Sequence, residues 1–277
     1  MLTHHSSKST PHFSNLLEKS KKDNLDNFNK SFLLRAMEIS SENLQIFREC
    51  PDDIDGYLQY IKNTDSYISF LRSANHSFSH QSDMISSVIP ELFCQIFEKK
   101  IDSLGVKNLI VSGQEDLKID FQILPNSEEP LVFKSKRVDV CVYRDFDMSM
   151  NKKNFKLPLP LISIENKVNL DKNMLYGIIN TSTSIKTMFP ESKFFVYTEF
   201  SDLTLDKHNF AYSDIDEIYT LRKQNRGSYR RSKEANPIHA PLIIDALCAL
   251  EEIIDSISST GFTLEEKMSQ FGKLIKP

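Results

Sequence analysis

Apolar positions change rhythm twice along the chain. Through residue 30 they are sparse among Ser, Lys, Asn and Asp, too few to bury the surface that ordering requires, so a flexible polar arm is expected over residues 1–30. From Ser31 to Leu104 they recur every three or four positions. Phe32, Leu33, Ala36 and Ile39 form one set, and Ile61, Tyr67, Ile68 and Leu71 a second. Val88, Ile89, Leu92, Phe93, Ile96 and Phe97 form a third, on a helix that Ser86 or Ser87 is placed to cap. This spacing predicts a helical region over residues 31–104.

After Gly105 short β-rich runs take over, at Asn108–Val111, Lys118–Leu124, Arg137–Tyr143 and Pro160–Lys167. A helix is predicted from Leu170 to Met188, strands at Lys193–Phe200 and Glu217–Leu221, and a last helix from Pro241 to Ile257. Strands mixed with helices in this order give an α/β (mixed α+β) fold, a central mixed sheet flanked by helices over residues 105–277. The helical region is expected to pack on that core, since no long linker separates the two.

Composition removes several classes of function. Only seven glycines stand among 277 residues, none in a G-x-G or G-x-x-x-x-G-K arrangement, which excludes dinucleotide fingerprints and the P-loop. No apolar run approaches a membrane span and no hydrophobic signal core opens the chain, so a soluble cytoplasmic protein is expected. Cys50, Cys94, Cys141 and Cys248 are far apart, with no C-x-x-C pair, and read as reduced thiols. His76 and His80 have an i, i+4 spacing, but their polar surroundings favour a solvated turn over a metal grip. The net charge of −4 argues, taken alone, against a nucleic-acid partner.

Two strands carry the candidate chemistry. In Arg137-Val138-Asp139-Val140-Cys141-Val142 one carboxylate interrupts an apolar run, and Leu161-Ile162-Ser163-Ile164-Glu165-Asn166-Lys167 ends in Glu-x-Lys. Alternation along a strand puts Glu165 and Lys167 on one face and Ile162 and Ile164 on the other. If the strands pair, Asp139 joins them. Two carboxylates offer hard oxygens to Mg²⁺, which acidifies water and offsets charge at a reacting phosphate, and a nearby lysine orients that water. The bare [DE]-x-K pattern occurs five times, and only Glu165 closes an apolar strand after an Asp-bearing one. The plainer alternative is a surface ion pair at a strand end.

These residues resemble the PD-(D/E)XK nucleases, with Asp139 as first acid and Glu165-Asn166-Lys167 as the second element; Val138 stands where proline is usual. Much of the chain also resembles subunits of the BbvCI and Bpu10I type II restriction endonucleases. The likeness includes Lys19-Ser20-Lys21-Lys22-Asp23, Asn173-Met174-Leu175, Ser192-Lys193-Phe194-Phe195-Val196, Asp214-Ile215-Asp216-Glu217-Ile218-Tyr219, Leu221-Arg222, Gln224 and Asn236-Pro237-Ile238. The resemblance implies a Mg²⁺-dependent endonuclease with one active site per subunit, cutting an interrupted duplex site of the CCTNAGC type to leave 5′-phosphates. It implies Asp139, Glu165 and the Asn166 backbone carbonyl as metal ligands, with Glu91 as a further candidate acid. An ordinary surface glutamate is the plainer reading of Glu91. The implied partners are double-stranded DNA, a second copy or sister subunit, and a cognate DNA methyltransferase.

Residues 222–233 hold six cations and no acid: Arg222, Lys223, Arg226, Arg230, Arg231 and Lys233, interleaved with Gln224, Asn225 and Tyr229. With Gly227 inside, the segment reads as an exposed basic loop able to bond bases and phosphates, against the alternative of a merely solvated charge run. Lys134, Lys136 and Arg137 form a smaller patch beside Asp139, and Lys19, Lys21 and Lys22 are further phosphate candidates. A structure-specific repair nuclease or resolvase, and a DNA-binding subunit with a vestigial site, remain open alternatives at this point.

Overall fold

A computed structural model of the chain describes residues 8–22, 25–73, 76, 78, 83–123, 131–150, 153–203 and 213–259. Five helices come first: α1 (Pro11–Ser20), α2 (Asn27–Glu49), α3 (Ile54–Ser73), α4 (Asp83–Ser86) and α5 (Val88–Ser103). Strands β1 (Ile110–Ile123), β2 (Leu131–Met150) and β3 (Lys153–Leu170) follow, then α6 (Lys172–Met188), β4 (Lys193–Ser201), β5 (Glu217–Thr220), α7 (Arg226–Ser232) and α8 (Pro241–Ser259). The described strands form one sheet in the order β1-β2-β3-β4-β5. The first three run antiparallel and the last two join β3 in parallel, so the sheet is mixed, as the sequence predicts. No helix among the described residues is long and apolar enough to cross a membrane.

Each sheet face buries a different set of side chains. Val140, Val142, Ile162, Ile164, Phe195 and Tyr197 pack with α2, α3, α5 and α8, where Leu92, Phe93, Ile96 and Phe97 recur at helical spacing. Cys141, Phe194 and Val196 pack on the other face against Leu175, Ile178 and Ile185 of α6. Strict alternation would put Val138 on the first face with Val140, yet it lies with Leu117 and Ile119 in the second cluster. The change of face falls at Gln114 and Asp139, which stand between the pairs Gly113↔Val140 and Glu115↔Val138. Gln114 there takes a left-handed φ of 56°.

β2 is also sharply bent. The rings of Phe133 and Phe155 meet edge-on at 5.8 Å, although Phe155 pairs with Met148 at the far end of β2. A straight strand would hold positions 133 and 148 roughly 50 Å apart. The two ends of β2 therefore curl toward one another, with further register shifts at Val142/Tyr143 and at Lys118/Asp120 of β1. Asp139 sits within the bend.

The amino-terminal segment differs from the expected flexible arm. Pro11 opens the first turn of α1, where its missing N–H costs nothing, and Leu16 is fully buried. Gly113 N donates to Lys8 O at 2.6 Å, and Gln95 Nε2 to Ser9 O at 2.8 Å. His12 is buried between the Tyr67 hydroxyl (2.8 Å) and Ser87 Oγ (3.2 Å), and burial pushes its imidazole pKa down to about 3, against a backbone hydrogen bond to Met84, so it is neutral. These contacts all reach partners distant in sequence. The arm's polar composition hid a docking helix whose apolar side is only one residue wide per turn.

Candidate active site

The antiparallel ladder between β2 and β3 ends at Val140↔Ile164. Beyond it β2 stays with β1, while β3 continues beside β4 through Glu165↔Val196 and Lys167↔Thr198. The strands thus fork, and the predicted trio occupies the fork. Asp139 Oδ2 accepts the Asn166 backbone N–H at 2.7 Å, so a side chain completes the pairing that the backbone gives up. Lys167 Nζ lies 2.5 Å from Glu165 Oε1 and 3.9 Å from Asp139 Oδ2, one ammonium spanning both carboxylates. Ile162 and Ile164 fill the opposite face with no exposed surface.

Electrostatics follow from half-burial. Burial raises the Asp139 pKa, against the pull of Lys167 and the Asn166 N–H. Burial and then the charge of Asp139 raise that of Glu165, against Lys167 and Lys136. Burial works against the Lys167 ammonium, but Glu165 and Asp139 together outweigh it and hold its pKa above the usual value. Two crowded carboxylates on hard oxygens are a donor set that suits a divalent cation. Among the described residues no group of three or more His, Cys, Asp or Glu is arranged to hold a metal, so an ion here would complete its shell with backbone and water oxygens.

A pocket of about 100 Å³ opens beside Asp139, lined by Pro11 and Asn15 of α1 with Ser86, Ser87, Pro90 and Gln114. Asn166 reaches the same wall through Nδ2, which donates to Ser86 O at 3.3 Å, while its Oδ1 is buried without a hydrogen-bond partner. The larger cavity, about 430 Å³ between α2, α5 and the start of β1, shares no lining residue with it.

Among the described residues no hydrogen bond or ion pair joins Glu91 to the trio. Its side chain accepts the Phe13 N–H at 2.9 Å at the amino end of α1, and burial raises its pKa to about 7, against the Phe13 and His12 amides and Arg48. It is a buried group that holds the start of α1, not the surface glutamate of the plainer reading. Only the long-range packing of α1 identifies that role. His80 lies outside the described residues, and His76 meets the Leu71 carbonyl at 2.6 Å. The four cysteines are free.

The basic segment divides into an inside and an outside. It contains the short helix α7 rather than a loop, capped by Asn225, whose Oδ1 accepts the Ser228 N–H at 2.7 Å. Arg222 is 2 % exposed, paired at 2.8 Å with both Glu199 and Asp65, so it is no DNA contact. Gln224 is equally engaged, donating to Glu234 O and accepting from Asn236 N. Lys223, Arg230, Arg231 and Lys233 are exposed and Arg226 is half-buried. In the smaller patch, Lys134 is exposed and Lys136 acts on Glu165, but Arg137 forms a two-pronged pair with Asp116 at 3.0 and 2.8 Å. Lys21 and Lys22 are exposed just past α1.

α7 stands at the same end of the sheet as Lys167. Ser201 pairs with Leu170 at the close of β3, Ser201 N donates to Gln224 O, and Arg226 N donates to Asp202 Oδ1. The exposed cations therefore rise from the end at which the catalytic candidates of β3 open.

Residues 131–237, which hold the fork, α6 and the basic segment, match the model of the Bpu10I restriction endonuclease family. Among solved structures, the native BbvCI A2B2 tetramer at low resolution aligns with a TM-score of 0.70 and 23 % identity, covering 88 % of this chain and 95 % of that one. That likeness speaks for the fold. No curated protein sequence matches the chain. The segment that bears the acidic fork is thus similar to the Bpu10I restriction endonuclease family, which the chain's motifs also resemble.

Proposed function

We propose that the chain is a Mg²⁺-dependent type II restriction endonuclease, or one subunit of it, that hydrolyses phosphodiester bonds at a short specific duplex site. The observation that carries this is the fork at β2 and β3, where Asp139 and Glu165 approach one ammonium from diverging strands. When bound, the metal supplies Lewis acidity and an acidified water. Asp139, Glu165 and the Asn166 carbonyl are its proposed ligands. The Asn166 N–H fixes the Asp139 carboxylate, and Lys167 places positive charge where a phosphate enters. The exposed cations of α7 with Lys134 and Lys136 hold the DNA backbone. The CCTNAGC type of site and 5′-phosphate ends are what the family likeness adds.

Each chain offers one fork, so cutting both strands requires association with a second copy or a sister subunit. The BbvCI neighbour is an A2B2 tetramer, which supports such an assembly. A cognate methyltransferase would protect host sites.

The test is digestion of a plasmid of known sequence by the purified chain, alone and with any sister subunit, in Mg²⁺, with the ends mapped. Discrete ends at one recurring short sequence are expected. Cleavage only of branched DNA would replace this reading with that of a resolvase, and full cutting by Glu165→Ala would overturn the site assignment.

A further inference from the structure

Four charges meet behind α7, Arg222 and Glu199 buried and Arg72 and Asp65 half-buried. Glu199 Oε1 and Oε2 take the Arg72 guanidinium at 2.6 and 3.0 Å, and Oε2 also takes Arg222 Nε at 2.8 Å. Arg222 reaches Asp65 at 2.8 Å, and Asp65 Oδ2 accepts the Ile238 N–H at 3.1 Å. Arg222 and Glu199 side chains are 1 % and 2 % exposed. The remaining arm of Arg222 donates to Asn236 O at 2.5 Å, and Asn236 Nδ2 returns a bond to Arg222 O at 3.1 Å. Both ends of the segment that carries α7 are thus fastened to one guanidinium. Above it the Phe200 ring stacks on Tyr229 of α7 at 4.8 Å, with Arg72 and Arg222 at 5.7 and 5.9 Å from its centroid.

Such a network is a poor device for stability alone. Desolvating the charges of Arg222 and Glu199 is so costly that apolar residues of similar volume hold a core equally well. What charges with forked, fixed geometry supply is a single arrangement. The arrangement fixed here is that of α7 against β4, and Glu199 follows Thr198, the register partner of Lys167.

We infer that Arg222, paired with Asp65 and sharing Glu199 with Arg72, is a positioning residue that sets basic helix α7 against β4, the neighbour of the strand bearing Lys167, and so governs DNA capture without entering the chemical step. This rests on the reading of α7 as DNA-facing.

The experiment measures equilibrium binding of the assembled enzyme to a short duplex carrying its mapped site, with Ca²⁺ in place of Mg²⁺, over a range of salt. Single-turnover cleavage at saturating DNA is measured alongside. Arg222→Lys keeps the charge and loses the fork. It is expected to weaken binding roughly tenfold with a shallower salt slope, while the saturated rate stays within about twofold. Tyr229→Ala spares the four charges and should show the same split, more weakly, which keeps the inference testable if Arg222→Lys fails to fold. Arg230→Ala/Arg231→Ala tests the underlying reading, since unchanged binding there would remove α7 from the DNA interface. If that variant binds poorly while Arg222→Lys and Tyr229→Ala keep the full salt slope, or lose saturated rate in step with binding, the positioning role is wrong.

Discussion

Two charged clusters, one acidic and spread over two strands, the other basic and contiguous in sequence, fold into opposite arrangements. The acidic one gathers residues 139, 165 and 167 into one fork, though they come from separate strands. The basic one scatters six neighbours in sequence, with Arg222 inside the protein and Arg230 and Arg231 in water. The difference lies in backbone periodicity. A strand of period two tells in advance which side chains share a face, whereas a turn followed by a seven-residue helix carries no such rule. Charge density is a property of sequence; where each charge points is a property of the element beneath it.

The strongest way to break this comparison is to remove the fork's chemistry while keeping its shape. Glu165→Gln and Lys167→Ala are each expected to lower single-turnover cleavage by at least roughly a thousandfold, because each removes charge acting at the reacting phosphate. Binding of duplex in Ca²⁺ should fall far less for Lys167→Ala, since the cations of α7 remain. A Lys167→Ala enzyme that cuts at near the natural rate would reduce the trio to a strand-end ion pair.

Next in size is the contrast within the basic segment itself. Arg222→Ala leaves Asp65 without its cation and Glu199 with Arg72 alone, and breaking a buried pair in this way costs about 3–5 kcal/mol in urea unfolding. Arg230→Ala, on an exposed helix face, should stay within about 0.5 kcal/mol of the natural chain. Equal losses would mean that the inside and outside of the segment are not distinct.

What could be read early follows the same division. The trio, the order of strands and helices and the periodic helices were legible because each rests on local spacing: Ile162 and Ile164 against Glu165 and Lys167, or Leu92, Phe93, Ile96 and Phe97 along α5. Three features were not. The change of face at Val138 falls opposite Gln114, which takes a left-handed φ on a neighbouring strand. Arg222 owes its burial to Asp65 and Glu199, far away in the chain. α1 left a faint signal, Pro11 followed by Phe13, Leu16 and Leu17 at helical intervals, but its docking needs Glu91.

Glu91 gives a third carboxylate against which to sharpen the comparison, one buried against the amino end of α1. Burial raises its pKa from 4.5 to about 7, so the folded chain keeps a proton that the unfolded chain releases. Its contribution to stability is full below pH 4.5, falls as pH rises toward 7, and stays low above that. Glu91→Gln still accepts the Phe13 N–H but cannot ionise. Relative to the natural chain it should gain about 2–3 kcal/mol in urea unfolding between pH 5 and pH 8. Parallel pH profiles for the two proteins would show that Glu91 does not titrate in this way.

The finest comparison is between adjacent cations beside Asp139. Lys136 and Arg137 are equivalent in the sequence, yet Lys136 acts on Glu165 while Arg137 is held by the carboxylate of Asp116. A guanidinium already paired gives little to a phosphate, because each new contact must first give up the old one. Lys136→Ala should therefore flatten the salt dependence of duplex binding by about one phosphate contact, and Arg137→Ala by clearly less. Exchanging the charge partner exposes the cause: Asp116→Asn frees Arg137 and should tighten binding, but only while Arg137 is present. Tightening in Asp116→Asn/Arg137→Ala as well would mean that the gain comes from removing an acid near DNA, and that the two cations were never distinguished by their partners.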